Sequence, residues 1–224
     1  LLMLPRAVCM ESVPGLGKTF VCPEVAAAMD SGYVRHINHP GGMGDELKGG
    51  YMPDESGAFS PNPGPITVCT DYNGGEGACF LADEIDKSSD ECLAIYQGFA
   101  DRNGFSFGSE FIAWTDKTRF WAATNYSRDI LPEALADRFT WVKIETPNPN
   151  AILALPTDLQ AAAQQTAALA DSSRRISMRE WYAFADYRES MGEHDAAAVV
   201  WPERATDIIR DWKLGNSKAA AENS

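Results

Sequence analysis

An apolar segment, Ala7–Glu11, leads directly into the turn Ser12-Val13-Pro14-Gly15-Leu16-Gly17-Lys18-Thr19, and a helical pattern follows over about Lys18–Met29. A short apolar run of this kind is typical of a strand buried in a parallel sheet. The turn has the form Gly, four residues, Gly-Lys-Ser/Thr, with Ser12 in the place of the first glycine. Strand, glycine-rich turn and helix together predict the start of an α/β domain.

The residue types of this turn suit the binding of phosphate groups. Glycines let backbone N–H groups converge on phosphate oxygens, and the helix N-terminus adds partial positive charge. We expect Lys18 to reach the β- and γ-phosphates of a nucleoside triphosphate and Thr19 to place its hydroxyl on Mg²⁺. The predicted nucleotide-binding segment consists of Ser12, Val13, Pro14, Gly15, Leu16, Gly17, Lys18, Thr19 and Phe20.

A second apolar segment, Ala78–Ala82, ends on two carboxylates, Asp83 and Glu84. At the carboxyl end of a strand beside a phosphate loop, Asp83 can hold Mg²⁺ through water. Glu84 can orient and deprotonate the water that attacks the phosphate. The sequence therefore predicts Asp83 as a metal-binding and nucleotide-site residue and Glu84 as a catalytic base.

A third apolar segment, Arg119–Thr124, is followed directly by Asn125. The amide of Asn125 is in the right position along the chain to lie between the acidic pair and the γ-phosphate and to position the water. The alternative is an asparagine that caps a turn, because asparagine is common there for purely structural reasons.

Alternating strands and helices continue to the break Thr146–Asn150, after which the pattern is only helical. This order predicts a three-layer α/β nucleotide-binding domain with a parallel sheet, residues 1–147, and a small all-helical lid, residues 148–215. The remaining residues, 216–224, are predicted to be a disordered tail. The lid helices are expected at about Ala151–Ala170, Met178–Met191 and Ala205–Trp212.

Taken together, these motifs resemble the AAA+ ATPases, and within them the MoxR and dynein-related branch. The resemblance covers about residues 7–190. It is carried, in the order of the family, by PGLGKT, GDELKGGY, the Gly64-Pro65 pair, FLADEID, AATN, LPEALADRF and ISMRE. The change of the first loop glycine to Ser12 is the main departure from the family pattern.

The resemblance implies roles that spacing alone does not give. Arg138, in ADRF, matches the arginine finger that reaches the γ-phosphate bound by a neighbouring subunit; the alternative is a surface arginine in a salt bridge. Arg179, after Ser177-Met178, matches the lid arginine that senses the γ-phosphate in its own chain. Family membership implies ATP and Mg²⁺ as ligands, a homo-oligomeric ring, expected to be a hexamer, and a protein client or a von Willebrand A-type partner that is remodelled or activated.

Composition limits the other classes of function. The formal net charge is −13 and the isoelectric point about 4.6, so the surface repels a nucleic-acid backbone on average. No apolar run reaches the roughly 18–20 residues that a membrane helix needs. The five cysteines fit no zinc or redox spacing and are expected to be free thiols. With no visible signal peptide, the sequence predicts a cytoplasmic protein, and its abrupt start suggests that a native N-terminal segment precedes it.

Two other functions remain open at this point. The first is a nucleic-acid-translocating motor of the same branch, against which the acidic charge argues. The second is a monomeric binding module or switch that responds to a nucleotide without ring formation. A guanine-specific switch lacks support, because Asn125 is followed by Tyr126 and not by the usual Lys-x-Asp that reads the base.

Overall fold

The computed structural model describes the chain over residues 1–70, 74–169, 171 and 173–222, with side chains as far as residue 215. Two compact units make up the chain, and each has its own hydrophobic core. Over the described ranges, no helix combines the length and the apolar character needed to cross a membrane.

The first unit, Leu1–Ser12 with Lys18–Lys143, is built on strands that alternate with helices. Its strands are β1 (Val8–Glu11), β2 (Gly32–Ile37), β3 (Gly49–Pro53), β4 (Phe59–Pro63), β5 (Ala78–Asp83), β6 (Phe105–Phe107), β7 (Glu110–Ile112), β8 (Arg119–Thr124) and β9 (Thr140–Lys143). Its helices are α1 (Lys18–Ala28), α2 (Gly44–Lys48), α3 (Pro65–Val68), α4 (Asp90–Ala100) and α5 (Glu133–Ala136).

Five of these strands form a parallel sheet in the order β2-β5-β8-β1-β9. The central strands β5 and β8 are buried at every position, as expected for strands covered by helices. In the register, Ala82 lies opposite Ala122, and Glu11 lies opposite Thr124. Because all the pairs are parallel, the carboxyl ends of β1, β5 and β8 meet at one edge of the sheet.

Aromatic side chains fill the core of this unit. Phe80 of β5 and Phe120 of β8 lie 5.9 Å apart between ring centroids, and Phe99 of α4 packs against Phe80 edge-on at 5.8 Å. Tyr96, also on α4, stacks on Phe120 at 5.5 Å. These contacts combine burial with favourable ring geometry and fix α4 against the sheet.

The second unit contains Val13–Gly17 and the chain from Ile144 onward, and it is helical. Its helices are α6 (Pro149–Leu153), α7 (Thr157–Thr166), α8 (Met178–Met191), α9 (Glu193–Val200) and α10 (Ala205–Glu222). Helix α8 begins with a capping box, in which the Ser177 side chain accepts from the Glu180 N–H and the Glu180 carboxylate accepts from the Ser177 N–H. Packed aromatic rings contribute to the core of the second unit; the ring centroids of Trp181 and Trp201, for example, lie 5.2 Å apart.

The structure confirms the predicted fold class, a parallel α/β sheet with flanking helices and a helical C-terminal region. The predicted single helix Ala151–Ala170 is wrong, because the chain breaks between α6 and α7 at Pro156. Proline disfavours the helical conformation in the residue before it, and α7 begins directly after it. The end of that prediction, Ala170, lies outside the described residues. Helix α9 was not predicted at all.

Two segments differ in detail from the sequence pattern. The glycine- and proline-rich stretch 39–65 contains the short helix α2 and the hairpin of β3 and β4. The backbone of α10 continues through the predicted tail as far as Glu222, whereas residues 223 and 224 lie outside the described part. The predicted domain limits, 1–147 and 148–215, stay a prediction.

Candidate functional site

The carboxyl edge of the sheet brings together the segments that follow three of its strands. Ser12 follows β1, Asp83 ends β5, and Asn125 follows β8. The Ser12 N–H donates to the Thr124 carbonyl oxygen at 3.3 Å, which continues the ladder between β1 and β8 by one step. Residues far apart in sequence therefore converge because parallel pairing aligns the ends of their strands.

Lys18, the first residue of α1, lies within this convergence. Its side chain is buried, and its Nζ donates to Ser12 Oγ at 2.7 Å, to the Ser12 carbonyl oxygen at 3.0 Å and to Asn125 Oδ1 at 2.8 Å. An ammonium group has three protons, so all of them are used. Burial lowers the pKa of Lys18, and the charges of Asp83 and Asp86 partly offset that shift.

The segment Val13–Gly17 groups with the second unit, where it is held by close packing. Leu16 is buried in the hydrophobic cluster of that unit. A Cβ added to Gly15 would lie 2.4 Å from the Cβ of Ser177, and the backbone of Gly15 has φ +86°. Gly17 also has a positive φ, +89°. The two glycines are thus required by backbone conformation, and Gly15 is required by space as well.

Asp83 is buried and engaged on both oxygens. Its Oδ2 accepts from Arg35 Nε at 2.9 Å and also from Arg35 Nη2, and its Oδ1 accepts from the Glu84 N–H at 3.1 Å. Glu84 adopts the left-handed conformation with φ +53°, which is rare for a residue other than glycine, and its carboxylate pairs with Lys87 Nζ at 2.7 Å. Such a conformation is found mainly at turns and functional sites.

The loop that carries Asn125 is tied to the segment after β5. Thr124 Oγ1 donates to Asp86 Oδ1 at 2.7 Å and accepts from the Tyr126 N–H at 3.1 Å. These bonds hold the backbone on both sides of Asn125, whose amide oxygen contacts Lys18. The predicted role of Asn125 and its turn-capping alternative both stay predictions.

The remaining predicted site residues are Thr19, Phe20, Arg138 and Arg179. Thr19 is half-buried in α1, and the neighbouring Phe20 is exposed, at 47%. Arg138 lies in the first unit, where its Nε donates to Asp101 Oδ1 at 2.7 Å and its Nη1 to the Ala134 carbonyl oxygen. Arg179 is an exposed residue near the start of α8 in the second unit.

The structure brings Lys18, Ser12 and Asn125 into direct contact, with Asp83 and Glu84 close enough for their charges to act on Lys18. Sequence reasoning missed Arg35 and Lys87, the partners of the two acids. A signal for Arg35 was present, since an arginine in the strand segment Tyr33–Asn38 needs a counter-charge. The identity of its acidic partner could not be predicted from the sequence, because the order of strands in the sheet decides which acid lies close to Arg35.

Comparisons with known proteins bear on the fold. No family model matches the chain, and no curated protein matches it. Among solved structures it is similar to a protein of Cytophaga hutchinsonii described as a "putative ATPase", with a TM-score of 0.53 and 22% sequence identity. The match covers 68% of this chain and 45% of the other, so the chain spans less than half the length of that protein. At this identity the likeness establishes a shared α/β fold.

Proposed function

We propose that this chain is an ATPase of the phosphate-loop class that uses Mg²⁺. The observation that carries the proposal is the buried ammonium of Lys18, held at the carboxyl edge of a parallel sheet beside Asp83 and Glu84. A triphosphate requires N–H donors, which the lysine and the glycine turn with positive φ at Gly15 and Gly17 supply. Its metal requires carboxylate oxygens, which the acidic pair supplies. The fold of the similar ATPase-described protein is consistent with this function.

The residues present fit these ligands chemically. Asp83 and the Thr19 hydroxyl offer the oxygen ligands that Mg²⁺ prefers, and Mg²⁺ is commonly bound by one or two such groups together with phosphate oxygens. When bound, the metal neutralises charge that develops on the β- and γ-phosphate oxygens. The glycine turn offers backbone N–H groups without a Cβ that would block their approach.

Each residue of the chain then has a defined task. Lys18 exchanges its bonds to Ser12 and Asn125 for the β- and γ-phosphates. Asn125, released from Lys18, orients a water molecule in line with the γ-phosphate. Glu84 accepts a proton from that water as its oxygen attacks phosphorus, and the bond to the β-phosphate oxygen breaks to release ADP. For this step, the Glu84 carboxylate leaves the ion pair with Lys87.

A finer proposal concerns assembly. We propose a MoxR-like AAA+ ATPase that acts in the cytoplasm as a homo-oligomeric ring, with Arg138 of one subunit reaching the γ-phosphate in the next and Arg179 reaching it in its own chain. Hydrolysis would then remodel a protein client or a von Willebrand A-type partner. The support is the motif order of the sequence; a nucleic-acid motor is disfavoured by the net charge of −13.

One observation favours the monomeric alternative. Arg138 is engaged within its own chain by Asp101 and by the Ala134 carbonyl oxygen, as expected for a surface arginine in a salt bridge. A nucleotide-dependent switch without an arginine finger would keep this pair. The ring model requires Arg138 to leave Asp101 when the neighbouring subunit binds ATP.

The proposed hydrolysis is tested by phosphate release from ATP and Mg²⁺ with the Glu84→Gln variant. Loss of a general base should lower turnover by about 10²-fold or more while ATP binding persists. Glu76→Gln is the matched control, because Glu76 is an exposed carboxylate paired with Lys117 near the opposite end of β5. Wild-type turnover in Glu84→Gln would remove Glu84 from the mechanism.

A further inference from the structure

In the described part of the chain, the Asp83 carboxylate forms an ion pair with Arg35. Arg35 lies on β2, the edge strand next to β5, and two of its N–H groups, on Nε and Nη2, point at the same oxygen, Asp83 Oδ2. The other oxygen, Oδ1, accepts from the Glu84 N–H. The carboxylate expected to serve the metal is thus already neutralised by a side chain of the same protein.

The two partners differ in their freedom to move. The side chain of Asp83 is only 8% exposed, whereas that of Arg35 is 43% exposed. A buried carboxylate without a counter-charge is costly, so Asp83 requires a cation at all times. The half-exposed guanidinium can leave toward solvent at a lower cost, because water then solvates it. The pair is therefore built so that the cation, and not the carboxylate, can be exchanged.

We propose that Arg35 is a specificity-determining residue that competes with Mg²⁺ for Asp83; the inference rests on the proposed ATPase function. Two cations close to one carboxylate repel each other, and a partly buried environment screens that repulsion weakly. Free Mg²⁺, which gives up its water reluctantly, cannot displace the guanidinium on the strength of Asp83 alone. Mg²⁺ carried by ATP can, because the phosphate oxygens complete its ligand set. Arg35 therefore restricts the site to metal that arrives with nucleotide.

The structural consequence is an order of events at the sheet edge. While the site lacks metal, Arg35 holds Asp83 and thereby the start of the left-handed turn at Glu84. When metal and nucleotide enter together, the Arg35 guanidinium swings away from Oδ2 and Asp83 keeps a counter-charge throughout. Removing Arg35 should therefore leave Asp83 open to metal that has no nucleotide.

The test measures metal dependence directly, with Arg35→Gln as the variant and Lys117→Gln as the control. The Lys117→Gln variant also removes one positive charge from an ion pair. Lys117 precedes β8, however, and so lies at the amino-terminal ends of the strands, away from Asp83. The first readout is the Mg²⁺ concentration that half-saturates binding of a fluorescent ATP analogue. The second is the shift in thermal midpoint caused by MgCl₂ alone, without nucleotide.

We expect Arg35→Gln to lower the half-saturating Mg²⁺ concentration by about 5-fold or more, as for loss of a competing charged hydrogen bond. The variant should also gain a thermal shift with MgCl₂ alone that the wild type lacks. Arg35→Lys, which keeps the charge but not the paired donors, should fall between the two, and it serves as the test variant if Arg35→Gln does not fold. Lys117→Gln should match the wild type in both readouts.

Two results would overturn the inference while leaving the ATPase proposal intact. A higher Mg²⁺ requirement in both arginine variants would mean that Arg35 positions Asp83 for the metal and does not compete with it. An unchanged requirement would mean that the ion pair is independent of metal binding. If the wild type itself binds no ATP analogue with or without Mg²⁺, the proposed function and this inference fall together.

Discussion

Lys18 is a buried ammonium whose three protons are shared between Ser12 and Asn125. Ser12 accepts twice, once through its carbonyl oxygen and once through its hydroxyl, and a glycine at this position could offer only the carbonyl. The departure from the usual motif thus adds one bond to the resting lysine. In the proposed function, nucleotide binding has to replace that bond as well as the others, so we expect Ser12 to affect the affinity for ATP.

The charge of Lys18 leads to a prediction about alkaline pH. Burial lowers its pKa below the ordinary 10.5, so the ammonium loses its proton earlier than an exposed lysine does. If Lys18 binds phosphate as proposed, ATP affinity should therefore fall between neutral pH and pH 10.5, before ordinary lysines titrate. The effect of Lys18 on stability runs the other way with pH. The folded state binds this proton less tightly than the unfolded state does, so the charged lysine lowers the free energy of unfolding. That destabilisation decreases as pH rises and the lysine becomes neutral.

The measurement is the dissociation constant of a fluorescent ATP analogue across that range, with thermal midpoints recorded in parallel to identify the range in which the protein stays folded. An affinity that stays constant up to pH 10.5 in folded protein would mean that the proton of Lys18 does not govern phosphate binding.

At the scale of elements, apolar segments predicted the central strands well. Ala78–Ala82 and Arg119–Thr124 are strands, and the polar residues after them, Asp83 and Asn125, reach the same sheet edge. Burial on both faces leaves a nearly continuous apolar pattern, which is easy to recognise. Helix α9, with the sequence EHDAAAVV, was missed because its apolar face is short and follows Gly192 directly.

The partners of the acids were beyond such reasoning. Arg35 bonds Asp83 only because β2 pairs with β5, and Lys87 reaches Glu84 only because the chain turns sharply at a left-handed residue. Neither the order of strands nor a positive φ at a glutamate can be read from local spacing. Sequence therefore predicted the residue types at the site, and tertiary structure was needed to pair them.

The glycine turn yields a prediction about Gly15. In Gly15→Ala the new Cβ would meet the Cβ of Ser177 at 2.4 Å and the backbone would keep a positive φ. Strain and overpacking together should lower the free energy of unfolding by about 2–4 kcal/mol and weaken ATP binding. Gly98→Ala is the control, because Gly98 lies inside α4 with open space around it; it should stabilise the protein by about 0.5–1 kcal/mol. Chemical denaturation measures both, and equal midpoints for the two variants would contradict the packing described for Gly15.

At the scale of the whole molecule, the proposed ring depends on Arg138. If one subunit supplies Arg138 and the next supplies Glu84, Arg138→Ala should bind ATP but hydrolyse it about 10³-fold more slowly. Mixing Arg138→Ala with Glu84→Gln should restore part of the turnover, because some shared sites then contain both wild-type residues. Phosphate release from the mixture, compared with each variant alone, measures this.

The same mixture separates the ring from the monomeric switch. A chain that works alone keeps the pair of Arg138 with Asp101, so turnover in Arg138→Ala would be unchanged and mixing would restore nothing. Sedimentation equilibrium with ATP, run on the same samples, then reports a monomer. Unchanged turnover in Arg138→Ala, or a monomer with ATP, would rule out the arginine finger and would leave the proposed hydrolysis by Lys18, Asp83 and Glu84 unaffected.

The most direct measurement is equilibrium binding of ATP, with and without Mg²⁺, to the wild type, to Lys18→Ala and to Lys117→Ala. In the proposed site, the Lys18 ammonium exchanges its three internal bonds for bonds to phosphate oxygens, so Lys18→Ala should weaken ATP binding by about 10-fold to 100-fold or more. Lys117→Ala, which removes a partly exposed lysine at the amino-terminal end of the strands, should bind as the wild type does. Equally tight binding of ATP by Lys18→Ala, or no binding by the wild type, would contradict the assignment of this sheet edge as a triphosphate site.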